Sequence, residues 1–179
     1  MRLLRTTPVG QLTLEAIARE AGVGKPTIYR RWPNKNAVVL DAAFRSVAGQ
    51  LEFPATGTAL DALLTQVETV VLLMNSRVGQ VLAELIGEGQ SDPETLAGVN
   101  ERFMRVRRES AARLIERGKQ SGEFDPSIDV ELAIDLIYGP LYYRLLAGHL
   151  PLDSAFVKNA IVLGQVSASY TRCASPAWK

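Results

Sequence analysis

Between Leu12 and Phe44, apolar residues recur at helical spacing in three short runs separated by turn residues. Leu14, Ile17, Ala18 and Ala21 give a first helix one apolar face, and Thr13 is a good N-cap for it. Gly22 supplies the left-handed residue that ends such a helix, and Val23 is expected to point inward and pin the turn. A second helix is expected from Lys25, with Pro26 in its first turn, where the missing N–H costs nothing. Ile28 and Trp32, four residues apart, would face the first helix, with Trp32 in the core. Lys25, Thr27, Tyr29, Arg30 and Arg31 fall on the opposite side. Pro33 and Asn34 form a turn, and Asn34 can cap a third helix over about 35–47 with a broad apolar side of Ala37, Val38, Leu40, Ala43 and Phe44. The first two helices read as a helix-turn-helix with a basic, hydrogen-bonding outer face, a shape that fits a DNA major groove.

The N-terminal residues carry a weaker pattern: Leu3 and Leu4 suit a short helix that Pro8 and Gly10 interrupt. Residues 52–59 read as a connector. Beyond it the pattern is helical, with no sustained alternation of the strand type. Helices are expected over 59–75 and 78–86, followed by a long helix that Asp92 caps. The inward face of that long helix is Leu96, Val99, Phe103, Val106, Leu114 and Ile115, and its charges at 101, 105, 109 and 113 form a solvated outer face. A helix over about 130–148 is apolar on nearly every side, so it needs cover from two directions; Pro140 is expected to bend or break it. A last helix over 153–170 carries Ala160, Gly164 and Ala168 four apart, which lets a partner helix approach closely.

Pairing these last two helices with their copies would make a four-helix interface, with Leu141, Leu145, Phe156, Ala160, Ile161, Gly164 and Ala168 as its candidate residues. The alternative is that the two helices form only the internal core of a monomer. The fold class is therefore all-α: a three-helix helix-turn-helix domain over 1–50, then a larger helical bundle over 54–172 that dimerises through its last two helices, and a tail over 173–179.

Composition narrows the function. The chain of 179 residues is 47% hydrophobic and 22% charged, as in a globular protein. Its net charge is only +1, but the charge is unevenly spread. Lys or Arg stand at 2, 5, 19, 25, 30, 31, 35 and 45, against acids at 15, 20 and 41, so the basic excess coincides with the helix-turn-helix. No run of about 18 or more uncharged apolar residues appears, so no membrane span is expected, and the N-terminus has no signal-peptide core. The single Cys173 excludes an internal disulfide and suits a reducing cytoplasm. His149, the sole histidine, leaves no histidine-based metal cluster to propose. With no glycine-rich phosphate loop, no Ser/His/Asp or Cys/His arrangement and no convergent carboxylates, neither an enzyme nor a cofactor is expected.

The candidate DNA-contacting set is Lys25, Pro26, Thr27, Tyr29, Arg30, Arg31 and Lys35. Arg30 and Arg31 can offer paired donors to guanine O6 and N7, and Lys25 can serve similarly. The Tyr29 hydroxyl and the Lys35 ammonium suit phosphate oxygens, which fix register rather than sequence. Thr27 can touch a thymine methyl or a phosphate. In the helical bundle, Leu64, Val67, Val71, Met74, Leu82, Leu85, Phe103, Tyr138 and Tyr142 are the candidates to line an apolar cavity for a small, largely apolar molecule.

The run TLEAIAREAGVGKPTIYRRWPNKNAVVLDAAF, 13–44, resembles the DNA-binding domain of the TetR/AcrR family of bacterial transcriptional regulators, matching its pattern T-x-x-x-I-A-x-x-A-G-V-x-x-x-T-x-Y-x-x-[FW]-x-x-K throughout. The run IYGPLYYRLL, 137–146, is similar to one subgroup of that family's C-terminal domains. The resemblance implies a homodimeric regulator that binds a roughly palindromic double-stranded operator. It also implies a small-molecule inducer that enters the C-terminal domain and changes the separation of the two recognition helices; repression is the expected direction. Two departures from the pattern are visible. The family carries a full helix before the threonine, and only 12 residues precede Thr13 here, so the first helix is shortened or the chain begins later than its relatives. Gly24 stands where a serine cap is common. The competing expectation is an all-α small-molecule-binding or interaction protein whose helix-turn-helix no longer reads DNA.

Overall fold

A computed structural model describes residues 2–157 of the chain, and these are helical, with no strand among them. Eight α-helices follow in order: α1 (Leu14–Ala21), α2 (Lys25–Tyr29), α3 (Lys35–Arg45), α4 (Ala59–Met74), α5 (Arg77–Gly89), α6 (Pro93–Val99), α7 (Arg105–Ser121) and α8 (Val130–Ala147). Two 3₁₀ turns, Leu3–Arg5 and Val9–Gln11, precede them.

The local signals act as the sequence implies. Thr13 Oγ1 accepts a hydrogen bond from the Ala16 N–H at 3.1 Å, and Gly22 takes the left-handed conformation (φ 66°) that closes α1. Asn34 Oδ1 accepts from the Ala37 N–H at 2.9 Å and starts α3. Asp92 and Asp129 cap α6 and α8 in the same way. Two local expectations fail. Val23 is exposed rather than inward. The second helix stops at Tyr29, so Trp32 lies in the following turn, half-buried, where its indole N–H donates to Asp41 Oδ2 at 3.2 Å. Of the two outcomes expected at Pro140, a bend or a break, α8 does not break: it runs through Pro140, whose ring is exposed on the helix surface.

The described chain divides into two compact units that interleave in sequence: residues 2–50 with 73–106, and residues 51–72 with 107–157. The break after Gln50 lies beside the expected domain boundary. Residues 73–106, assigned above to the second domain, pack instead with the first unit, because α5 and α6 lie against α3 and against each other.

In the first unit, Leu4, Val9, Leu12, Ile28, Val39, Leu40, Val81, Leu82, Leu85 and Val99 are buried. The Phe44 and Phe103 rings stack with centroids 4.0 Å apart. The N-terminal turns are tied down by polar bonds from α5. Arg77 donates to the carbonyls of Leu4 (2.5 Å) and Thr7 (3.0 Å) and pairs with Glu84 (2.7 Å), whose other oxygen accepts from the Val9 N–H. Asn36, buried on α3, donates to Glu88 Oε2 (3.0 Å) and Thr95 Oγ1 (2.8 Å); Thr95 in turn donates to Asp92 (2.6 Å). This chain of bonds joins α3 to α5 and α6.

Between α6 and α7 the helix widens into a π turn over Asn100–Met104, where the Arg105 N–H reaches the Asn100 carbonyl. The extra residue shifts the helical phase. Val106, expected inside, is therefore exposed, and the inward row that continues from Phe103 is Arg107, Ala111 and Ile115.

In the second unit, Ala111, Ile115 and Ile134 form a core against Phe53, Phe124, Val130 and Tyr138. Glu123 accepts from the N–H groups of Ala59 (2.7 Å) and Leu60 (3.3 Å), satisfying the start of α4. Arg108 on α7 pairs with Glu131 and, at 2.6 Å, with Asp135 on α8. Leu141, expected at a dimer interface, is fully buried within this unit. The apolar surface of α8 left uncovered is Leu132, Leu136, Tyr143 and Leu146, on the side opposite Leu141. Leu145 and Phe156 are half-buried. A further helix begins at 154–157, capped by Asp153 Oδ1 accepting from the Phe156 N–H; the expected interface residues Ala160, Ile161, Gly164 and Ala168 lie outside the described residues.

Candidate nucleic-acid interface

The helix-turn-helix presents its basic residues on a surface whose chemistry is uneven. Lys25, Pro26, Thr27, Tyr29, Arg30 and Arg31 are all exposed, while Ile28 is buried beneath them. One apolar anchor at Ile28 thus fixes the short helix α2 so that its remaining residues face solvent. Pro26 serves backbone geometry at the helix start and brings no donor of its own.

The cations differ in what already holds them. Lys25 forms an ion pair with Glu15 of α1, which raises the lysine pKa and lowers that of Glu15. Both groups are exposed and the pair is screened by solvent, so exchange of Glu15 for a phosphate costs little. The Arg31 guanidinium lies 5.0 Å from the Trp32 ring centre, a cation–π contact that directs it along the turn. The Arg30 guanidinium makes no hydrogen bond or ion pair among the described residues, and neither do the hydroxyls of Thr27 and Tyr29. Arg30 is therefore the guanidinium free to form a planar, two-donor contact with a guanine edge.

Lys35 is half-buried, and its ammonium donates to the carbonyls of Val9 (3.0 Å) and Gly10 (3.2 Å). It holds the second N-terminal 3₁₀ turn against the start of α3, a structural role the sequence pattern did not reveal. One of its three donors is left for a phosphate. Lys35→Ala is accordingly expected to lower stability by about 1–2 kcal/mol as well as weaken DNA binding, because the part-buried Val9 carbonyl and the exposed Gly10 carbonyl lose a charged donor. A urea melt with an unshifted midpoint would contradict that role.

The candidate cavity residues fall into both units. Met74, Leu82 and Leu85 are buried in the first unit, where Phe103 is committed to its stack on Phe44. A cleft of about 170 Å³ in that unit is lined by Asn36, Leu40, Leu85, Thr95, Val99 and Arg102 among others, below the roughly 300–1,000 Å³ of typical small-molecule pockets. Leu64, Val67, Val71, Tyr138 and Tyr142 belong to the second unit. There Tyr138 donates to Gln66 Oε1 at 2.5 Å, and burial raises the pKa values of both tyrosines, so they remain neutral hydroxyls. Gln66 and Arg107, neighbours of these tyrosines, were not singled out from sequence. The visible signal for Arg107 is its place four residues from Phe103 and four from Ala111, on one helical row. No group of three or more potential metal ligands occurs among the described residues, and no single helix there is long and apolar enough to cross a membrane.

Comparison with known proteins agrees with this architecture. Residues 1–42 match the family described as bacterial regulatory proteins, tetR family, and residues 53–163 match the tetracyclin repressor-like C-terminal domain. The HTH-type transcriptional regulator YdeS of Bacillus subtilis (strain 168) is 37% identical over 84% of this chain and 76% of its own length. The crystal structure of the TetR family transcription regulator SCO0332 superposes with a TM-score of 0.81 at 36% identity, covering 89% of this chain and 88% of that one. FadR from Bacillus subtilis, solved in complex with stearoyl-CoA, shares the fold with a TM-score of 0.67 at 22% identity, over 87% of this chain and 88% of its own. The chain belongs to the TetR family of DNA-binding, helix-turn-helix transcriptional regulators.

Proposed function

We propose that the protein is a homodimeric repressor in the cytoplasm that binds a palindromic operator through two copies of α2 and is released by a small-molecule inducer held in the second unit. The observation that carries the reading of DNA is the exposed set Thr27, Tyr29 and Arg30, fixed from below by Ile28; the side chains of the three make no hydrogen bond or ion pair among the described residues. Two such heads on a two-fold axis would read the two halves of an inverted repeat. The uncovered apolar side of α8 supports association with a second copy. Release follows if the inducer favours a different spacing of the two heads, since a ligand shifts an equilibrium only through unequal affinity for its states.

The test begins with selection of duplexes from a random library by the full chain, which is expected to return an inverted repeat. On that duplex, Arg30→Ala is expected to lose about 10–100-fold in affinity, the equivalent of about 1–3 kcal/mol of base discrimination, with thermal stability unchanged. Arg31→Ala is expected to lose less, because Arg31 is already laid on Trp32. A gel-shift titration giving Arg30→Ala wild-type affinity would remove Arg30 from the reading face. Failure to enrich any duplex would favour a DNA-silent helical binding protein.

A further inference from the structure

Among the described residues of the second unit, the buried side-chain atoms left without a partner are both donors, Gln66 Nε2 and Arg117 Nη2. Arg107 is half-buried, with its guanidinium 5.7 Å from the centre of the Phe53 ring. It makes no hydrogen bond or ion pair among the described residues, and Glu52 influences it only as a nearby charge. Burial lowers its pKa, yet a guanidinium stays charged at any physiological pH. Gln66 is 1% exposed; its Oε1 accepts from Tyr138, and its Nε2 has no acceptor. The Tyr142 hydroxyl, kept protonated by burial, also makes no hydrogen bond among the described residues. Arg107 and Gln66 both neighbour Tyr138.

A half-buried cation that no acid pairs with directly and a buried amide without an acceptor are each costly to maintain. Both costs fall if an acceptor-rich anion arrives, and a carboxylate matches a guanidinium with two parallel bonds. The groups around Arg107 are the rings of Phe53, Tyr138 and Tyr142, with the Glu52 carboxylate near but unpaired with it.

We propose that Arg107, with Gln66 and Tyr142, forms the head-group subsite of the inducer site, and that the inducer is a carboxylate-bearing molecule with an apolar body. The proposal rests on the ligand-responsive reading above and sharpens it, from an apolar molecule to an apolar acid. The guanidinium carries the charge recognition, and the amide and hydroxyl orient the carboxylate.

The experiment measures binding of decanoate and indole-3-acetate, each beside its neutral primary amide, to the full chain by calorimetry, with retention on the selected duplex as a second readout. At least one acid is expected to bind saturably and its amide about tenfold or more weaker, the loss of a charge-assisted contact. In Arg107→Met the preference is expected to vanish, while the ligand-free protein melts no lower than wild type, because no hydrogen bond is lost. Arg107→Lys, which keeps charge but not the paired donors, is expected to retain a weakened preference. Equal binding of acid and amide, an unchanged preference in Arg107→Met, or no binding of either acid would each overturn the proposal. If the amides release the duplex and Arg107→Met behaves as wild type, the anionic head group is wrong and ligand response stands. If no probe changes duplex retention, ligand response falls with it.

Discussion

Replacing Leu136 and Tyr143 together by glutamate is expected to convert the protein to a monomer and to lower operator affinity by roughly 10²–10⁴-fold, the gain that linking two binding heads provides. Leu132, Leu136, Tyr143 and Leu146 are 56%, 59%, 65% and 50% exposed. At about 100° per residue they share an arc of about 80° on α8, opposite the buried Ile134 and Leu141. A helix apolar on both sides has one face served by its own unit and one left for another surface. Each large side chain removed from water there contributes about 1.5–3 kcal/mol, so two charges in the centre of the stripe outweigh what neighbouring contacts retain. Light scattering coupled to size exclusion reads the mass directly. A double variant that remains dimeric with full operator affinity would move the interface elsewhere.

Gly79→Ala carries the second large effect, on stability. A Cβ at Gly79 would stand 2.1 Å from the Met74 carbonyl oxygen and 2.4 Å from its Cα, where α5 turns back on the end of α4. The obstacle is backbone, so no rotamer change relieves it. The expected cost is about 1–3 kcal/mol or more, a fall in Tm of roughly 3–10 °C for a chain of this size. Gly87 on the same helix is the control. Nothing lies within 4 Å of its added Cβ, so Gly87→Ala is expected to be neutral or to stabilise by up to about 1 kcal/mol through helix propensity. Equal melting temperatures for the two variants would contradict the close α4–α5 turn.

The sequence carried those features that depend on neighbours along the chain. Thr13, Gly22 and Asn34 act within four residues, and each caps the helix it was expected to cap. The apolar spacing identified the helical class, and the 13–44 pattern identified the family. What was not legible depends on distant partners or on a change of helical phase. Asn36 looked like any polar residue in an apolar helix, because Glu88 and Thr95 are 52 and 59 residues away. Lys35 looked like a free cation until the carbonyls of Val9 and Gly10 were seen beside it. A straight-helix count put Val106 inside; the π turn at Asn100–Met104 turns it out and brings Arg107 in. The interleaving of 73–106 with the first unit follows from α5 and α6 packing on α3, a contact no local pattern encodes.

The candidate site shows the same division. That Arg30 and Tyr29 face outward follows from their spacing about Ile28. That Lys25 is shared with Glu15, and Arg31 with Trp32, required the folded structure. The reading head is accordingly narrower than its charge count implies, with Arg30 its freest basic group.

The most direct measurement of the central claim is the salt dependence of duplex binding by the wild-type protein, followed by fluorescence anisotropy. Two heads, each placing the Lys25 and Lys35 ammonium groups on phosphates, neutralise four phosphates, so log K is expected to fall linearly with log salt at a slope of about −3.6 or steeper. A flat dependence, or no retention on the selected duplex even at low salt, would contradict it.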